Sequence, residues 1–199
     1  MDFGMPIRLV SNGLEGPVLA ALVRAERPLT GREVARALGQ SSHSGVRAAL
    51  HRLAAQGIVT ALPAGRATIY QLNRDHLAAP HVVALVELTR ELTRRLRRQM
   101  EQWDIPPVWA VLLGDAPREG GGDEGRVELL LVRPDDVWEH EPGWRDQVAQ
   151  LRTAAQRWTG NAVVVTEHSV AELERGAAAA MVREAMVDGV DLVGSPGAI

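Results

Sequence analysis

Between Leu112 and Val132 the sequence runs LLGDAPREGGGDEGRVELLLV. This stretch offers a glycine closing an apolar run (Gly114), an acid directly after it (Asp115), two cations (Arg118 and Arg126) and a carboxylate at Glu128. Carboxylates at i and i+2 of a strand face the same side. With a third acid, such a pair holds two divalent metal ions. A glycine turn followed by free backbone N–H groups can cradle the phosphates. Here positions i and i+2 are Arg126 and Glu128, which read first as a same-face ion pair worth ~1 kcal/mol or less when exposed. Binding of an anion by Arg118 and Arg126 without metal is the alternative reading. The run GGGDEG alone is a weak phosphate signal.

A second set of residues suits nucleic acid. Ser41, Ser42, His43 and Ser44 lead into a helical stretch whose apolar residues, Val46, Leu50 and Leu53, leave Ser44, Arg47, His51 and Arg52 on the other face. A helix N-terminus presents unpaired N–H groups to phosphate, and the guanidinium fork matches guanine edges and phosphate oxygens. Thr30 and Arg32 stand at the start of the preceding helix, and Arg66 and Thr68 in the hairpin that follows. No acid occurs between Glu33 and Asp75. His43 and His51 have no cysteine and no carboxylate cluster beside them, so they read as polar surface residues and no metal site is expected.

These groups need elements to position them. A helix opens near Gly16-Pro17, with Val18, Leu19, Leu22 and Val23 on one face, and ends before Arg27-Pro28. In LTGREVARALG, Thr30 and Glu33 have the spacing of a capping box, and Gly39 closes the helix. A serine cap starts the third helix and Gly57 ends it. IVTAL and ATIYQL around PAGR form a hairpin with Arg66 at its tip. From Pro80 to Trp103 one longer helix is expected, with Leu85, Leu88, Leu92, Leu96, Met100 and Trp103 as a stripe of average period 3.6 that packs either on a domain or on its twin, the favoured reading being a dimer interface. Asp104-Ile105-Pro106-Pro107 breaks it. Then come strands VWAVLLG and RVELLLV, helix WRDQVAQLRTAAQRW, strand AVVV, two short helices and DLVG.

The 199 residues allow two modest domains, and 46% hydrophobic with 24% charged residues is ordinary for a folded chain. Without cysteine there is neither a disulfide scaffold nor a thiolate zinc site. The start lacks a basic segment followed by an apolar one, and no apolar run approaches the ~18 residues of a membrane span. A cytoplasmic protein without a membrane role is expected. The net charge of −3 is unevenly spread, since residues 1–80 hold nine Arg against five acids and residues 104–199 eight Arg against seventeen acids. An anionic partner should therefore meet the front half.

Helix, short turn, capped helix, third helix with an Arg/Ser/His face and then a hairpin: residues 14–75 resemble the winged helix-turn-helix of ArsR/MarR-like transcription regulators. The resemblance implies that the third helix enters the major groove and the wing touches the backbone. Residues 108–194 resemble the small stand-alone nucleotidyltransferases, in which a strand ends in Gly-Ser, an Arg-Gly-Glu follows, the next strand carries Asp-x-Asp and a neighbouring strand the third acid. Gly114 and Arg118 match, and RVELLLV stands where Asp-x-Asp-Leu-Leu-Val would. RWTGNAVVV and REAMVDGVDLVG match the later helix–strand junctions. The departures concern chemistry. Asp115 replaces the serine, Arg126 replaces the first carboxylate, Glu128 alone remains, and AVVV supplies no interior acid, with Glu167 past its end.

The expected fold class is thus α+β: a winged helix-turn-helix over 1–79, a linker and dimerisation helix over 80–104, and an α/β nucleotidyltransferase-like domain over 105–199 with a vestigial site and no catalytic residues. The expected function is a homodimeric regulator of transcription that binds double-stranded DNA, requires no cofactor and answers to a small-molecule or protein effector. An active nucleotidyltransferase with altered metal ligands, acting on a protein or RNA, is the runner-up. An interaction module of a toxin–antitoxin-like pair is the third reading.

Overall fold

The computed structural model describes residues 1–11, 13–39, 42–114 and 125–198. The chain is mixed α+β, with eight α-helices and two sheets among the described residues, and falls into two compact units. Residues 5–88 form the front unit; residues 1–4 join residues 89–199 in the back unit.

In the front unit, α1 (Glu15–Arg24) packs on α2 (Gly31–Ala37) and α3 (His43–Ala55) around a core that includes Val18, Leu22, Val34, Val46, Leu50 and Leu53. The capping box of α2 forms as its spacing requires: the Thr30 hydroxyl accepts from the Glu33 N–H at 3.3 Å, and the Glu33 carboxylate accepts from the Thr30 N–H at 2.7 Å. Ser42 caps α3 through the Gly45 N–H at 3.1 Å. Strands β2 (Val59–Ala64) and β3 (Ala67–Leu72) pair antiparallel about Gly65-Arg66. Gly65 takes φ +62°, a conformation that suits glycine in a two-residue hairpin turn. A two-residue strand β1 (Leu29–Thr30) adds to the far side of β3, so β2 is an edge, where Pro63 costs no inner-ladder hydrogen bond.

The Glu33 carboxyl is held down to about 2 from an ordinary value of 4.5, first by the Arg27 guanidinium at 2.6 Å and then by the Thr30 backbone N–H and hydroxyl. A depressed carboxyl contributes stability above its unfolded value and loses that contribution as pH falls through the folded one. The front unit should therefore lose stability between pH 4.5 and about 2, and Glu33→Gln should flatten that limb. Chemical denaturation across this range checks it, and parallel wild-type and variant curves would contradict it.

The helix expected from Pro80 to Trp103 is broken. It is α4 (Ala79–Val86) and α5 (Leu88–Met100), separated at Glu87, whose φ of −92° and ψ of 11° leave the helical range. The boundary between the units falls at Leu88/Thr89, between the expected bounds at 79 and 104. The stripe is divided with it. Leu85 packs on the front core, whereas Leu92, Leu96 and Met100 are buried in the back core with half-buried Trp103 against them. Leu88 is half-buried and belongs to neither core. The rest of the stripe packs on the core of its own unit, where the dimer surface was expected, because the sheet beneath α5 needs an apolar cover.

The back sheet has the order β6-β5-β4-β7, formed by β4 (Trp109–Leu113), β5 (Val127–Arg133), β6 (Val163–Ser169) and β7 (Val190–Val193). The β4 strand is antiparallel to β5 and β7, and β5 is parallel to β6. One face, with Ala110, Leu112, Leu129 and Leu131, is covered by α5, by α6 (Pro142–Thr159) and by Phe3. The other, with Trp109, Val111, Leu130 and Val132, is covered by α7 (Val170–Glu174) and α8 (Ala179–Asp188). Helices on both faces explain why β4 and β5 are apolar nearly throughout. Among the described residues no helix is long and apolar enough to cross a membrane.

Candidate nucleic-acid interface

One cleft of the front unit, about 1110 Å³, lies between α3, the start of α2 and the hairpin. Its walls bring together seven residues singled out in the sequence: Thr30, Arg32, His43, Arg47, His51, Arg66 and Thr68. No acid lines it. The three guanidiniums come from three different elements, are all exposed, and have no acidic partner among the described residues. Each position follows from local structure. Arg32 lies in the first turn that the Thr30 cap fixes, Arg47 and His51 sit one turn apart on the exposed side of α3 with Leu50 beside them at the cleft floor, and Arg66 is at the turn of the hairpin. The thirteen residues of α3 span about 20 Å at 1.5 Å per residue, enough to lie along a groove ~12 Å wide.

Four expected residues stand apart from that cleft or are engaged elsewhere. Arg52 is bound to Glu15 of α1, Nε to Oε1 at 2.7 Å, and does not line the cleft. The Glu15 carboxyl lies below its usual range, through its own backbone N–H first and Arg52 second. The Ser42 hydroxyl is spent on the α3 cap, with Ser44 Oγ 3.4 Å away. The Thr30 hydroxyl, although at the wall, is occupied by Glu33. Ser41 lies outside the described residues.

At the strand-end site Gly114 closes β4 with φ +71°, and the Glu128 carboxyl carbon lies 3.3 Å from where a Cβ at 114 would stand. A side chain there would crowd that carboxylate. Arg126 Nε lies 3.9 Å from Glu128 Oε1, with both side chains well exposed, so the two form the same-face pair that their i, i+2 spacing suggests. Asp115 and Arg118 lie outside the described residues.

Glu167 differs from expectation. The β6 strand continues through TEHS, so Glu167 is inside it, paired with Leu131. Since Leu131 shares a face with Leu129 while Glu128 shares the opposite one with Leu130, Glu167 and Glu128 lie on opposite sides of the sheet. Glu167 accepts a hydrogen bond from Trp144 Nε1 at 2.5 Å instead. The sequence hid this because polar residues at the end of a β-branched run look like a loop. Among the described residues no three His, Asp or Glu side chains gather where they could hold a metal ion. No protein-family model matches the chain, and no curated protein matches it in sequence.

Proposed function

We propose that the chain is a DNA-binding transcriptional regulator of the winged helix-turn-helix kind, with α3 as the groove helix and the β2–β3 hairpin as the wing. One observation carries this reading: Arg32, Arg47 and Arg66 converge with His43 and His51 on a single acid-free cleft, although the whole chain is net negative. Such a face steers an anion, and guanidiniums on separate elements suit a helix that reads base edges beside a wing on the phosphates. Selection from random duplex DNA at a stated salt concentration tests it. A recovered sequence bound with strong salt dependence supports the reading, and binding no tighter than to unselected duplex refutes it.

The back unit in this reading is a nucleotidyltransferase-like domain that no longer transfers nucleotides and instead serves dimerisation, an effector or a protein partner. The Arg126 guanidinium offers donors and no acceptor, so it is no metal ligand, and its charge adds to the repulsion between incoming cations. The sheet separates the two carboxylates that a metal pair would share. Incubation with each labelled nucleoside triphosphate and magnesium or manganese should label neither the protein nor added RNA above a Glu128→Gln control. Labelling that Glu128→Gln abolishes would make the runner-up, an active enzyme, the better reading.

A further inference from the structure

A cleft of about 830 Å³ runs between α5 and α6 in the back unit and shares no lining residue with the sites described above. Its lining combines two half-buried indoles, Trp103 and Trp158, with five exposed charges: Arg95, Arg98, Arg157, Asp104 and Asp146. Arg95 is engaged by Glu91, and the other four have no side-chain partner among the described residues. Two unpaired cations and two unpaired anions in one cleft, none within ion-pair distance of another, leave room for a molecule carrying both signs. The walls are held in place. Arg95 lies over the Trp158 ring, 5.6 Å from its centre, and is tied to Glu91 at 2.8 Å. Trp103 packs edge-on to Trp144 at 5.6 Å. Gln147 of α6 accepts from the Asp104 and Ile105 N–H groups and donates to the Ile105 carbonyl, which fixes Asp104 relative to Asp146. In the same wall Oε1 of Gln99 is buried and accepts no hydrogen bond, a stranded acceptor that a finished core would have satisfied.

We propose that this cleft binds a zwitterionic amino acid with an aromatic side chain. The carboxylate goes to Arg98 and Arg157, since guanidinium forks hold carboxylates well; the ammonium goes to Asp104 and Asp146; the ring packs against Trp103 and Trp158. With Arg95 engaged by Glu91, the unpaired charges balance, which disfavours a nucleotide: its two or more negative charges would meet both aspartates. The inference is independent of the DNA reading, because it concerns only the back unit.

Calorimetry on the full chain with L-phenylalanine tests it, beside 3-phenylpropanoate (no ammonium), phenethylamine (no carboxylate) and L-alanine (no ring). L-Phenylalanine should bind with Kd on the order of 100 µM, and each analogue about tenfold more weakly or worse. Arg157→Ala and Asp146→Asn, both at exposed positions where the fold should survive, should each weaken L-phenylalanine by about tenfold. Asp146→Asn should do so without weakening 3-phenylpropanoate. Absence of saturable heat with L-phenylalanine at about 10 mM, equal binding of 3-phenylpropanoate, or indifference to both substitutions would overturn the proposal.

Discussion

A variant carrying Arg32→Ala, Arg47→Ala and Arg66→Ala together is expected to bind the selected duplex more than about 100-fold more weakly than the parent. The loss divides by role. Arg47, on the groove face of α3, should cost ~1–3 kcal/mol and relax the preference at one base pair. Arg66 and Arg32 should weaken all sequences alike, each lowering the slope of log K against log salt by about one. Arg52→Ala is the contrasting variant. Its guanidinium is engaged by Glu15 outside the cleft, so removing it should leave the specificity unchanged. Titration of the parent and these variants with selected and scrambled duplex at several salt concentrations separates the cases. A triple variant that binds like the parent, or an Arg52→Ala variant that alone loses specificity, would show that another face meets DNA.

The second large effect concerns Leu96. It has no exposed surface and packs with Trp144, Leu151 and Leu129 beneath α5. Leu96→Ala should destabilise the back unit by ~2–5 kcal/mol, the cost of deleting buried methyl groups that neighbours only partly replace. It should do so at every protein concentration. Had the stripe been a dimer face, the same substitution would instead change association and leave the protomer's stability nearly intact. Denaturant unfolding at two protein concentrations, with sedimentation alongside, decides between them: a variant of unchanged stability but altered mass would return the stripe to a subunit interface.

Much of the front unit was legible because its signals are local. The capping box of Thr30 and Glu33, the serine before α3, Gly39, Gly57 and the PAGR turn each act within a few residues. The Arg positions on α3 followed from helical periodicity alone. What escaped needed partners distant in the chain. Strand β1 has two residues and exists only because β3 supplies its hydrogen bonds. The break at Glu87 contains neither glycine nor proline, and the apolar period runs through it unchanged. Its cause is that Val86 and Leu92 are buried in different cores. Arg52 could not be told from Arg47 by pattern, since its partner Glu15 lies 37 residues away. The α5–α6 cleft left no sign in the sequence, because Gln99 and Trp103 lie more than fifty residues from Trp158 and only the fold brings them to one cleft.

Phe3, buried in the back core, makes the chain contribute to the back unit twice, with residues 5–88 as an 84-residue excursion between the two contributions. Closing a flexible loop of that length costs entropy that grows as (3/2)RT ln n. The front unit removes most of this cost by folding, because Ile7, near its first residue, and Val86, near its last, are buried in the same cluster. A loop that behaves as about ten residues in place of 84 is easier to close by about 2 kcal/mol. The front unit thereby acts as a thermodynamic clasp. Substitutions that unfold it should loosen the seat of Phe3 and lower the stability of the back unit, although no residue of that unit has changed.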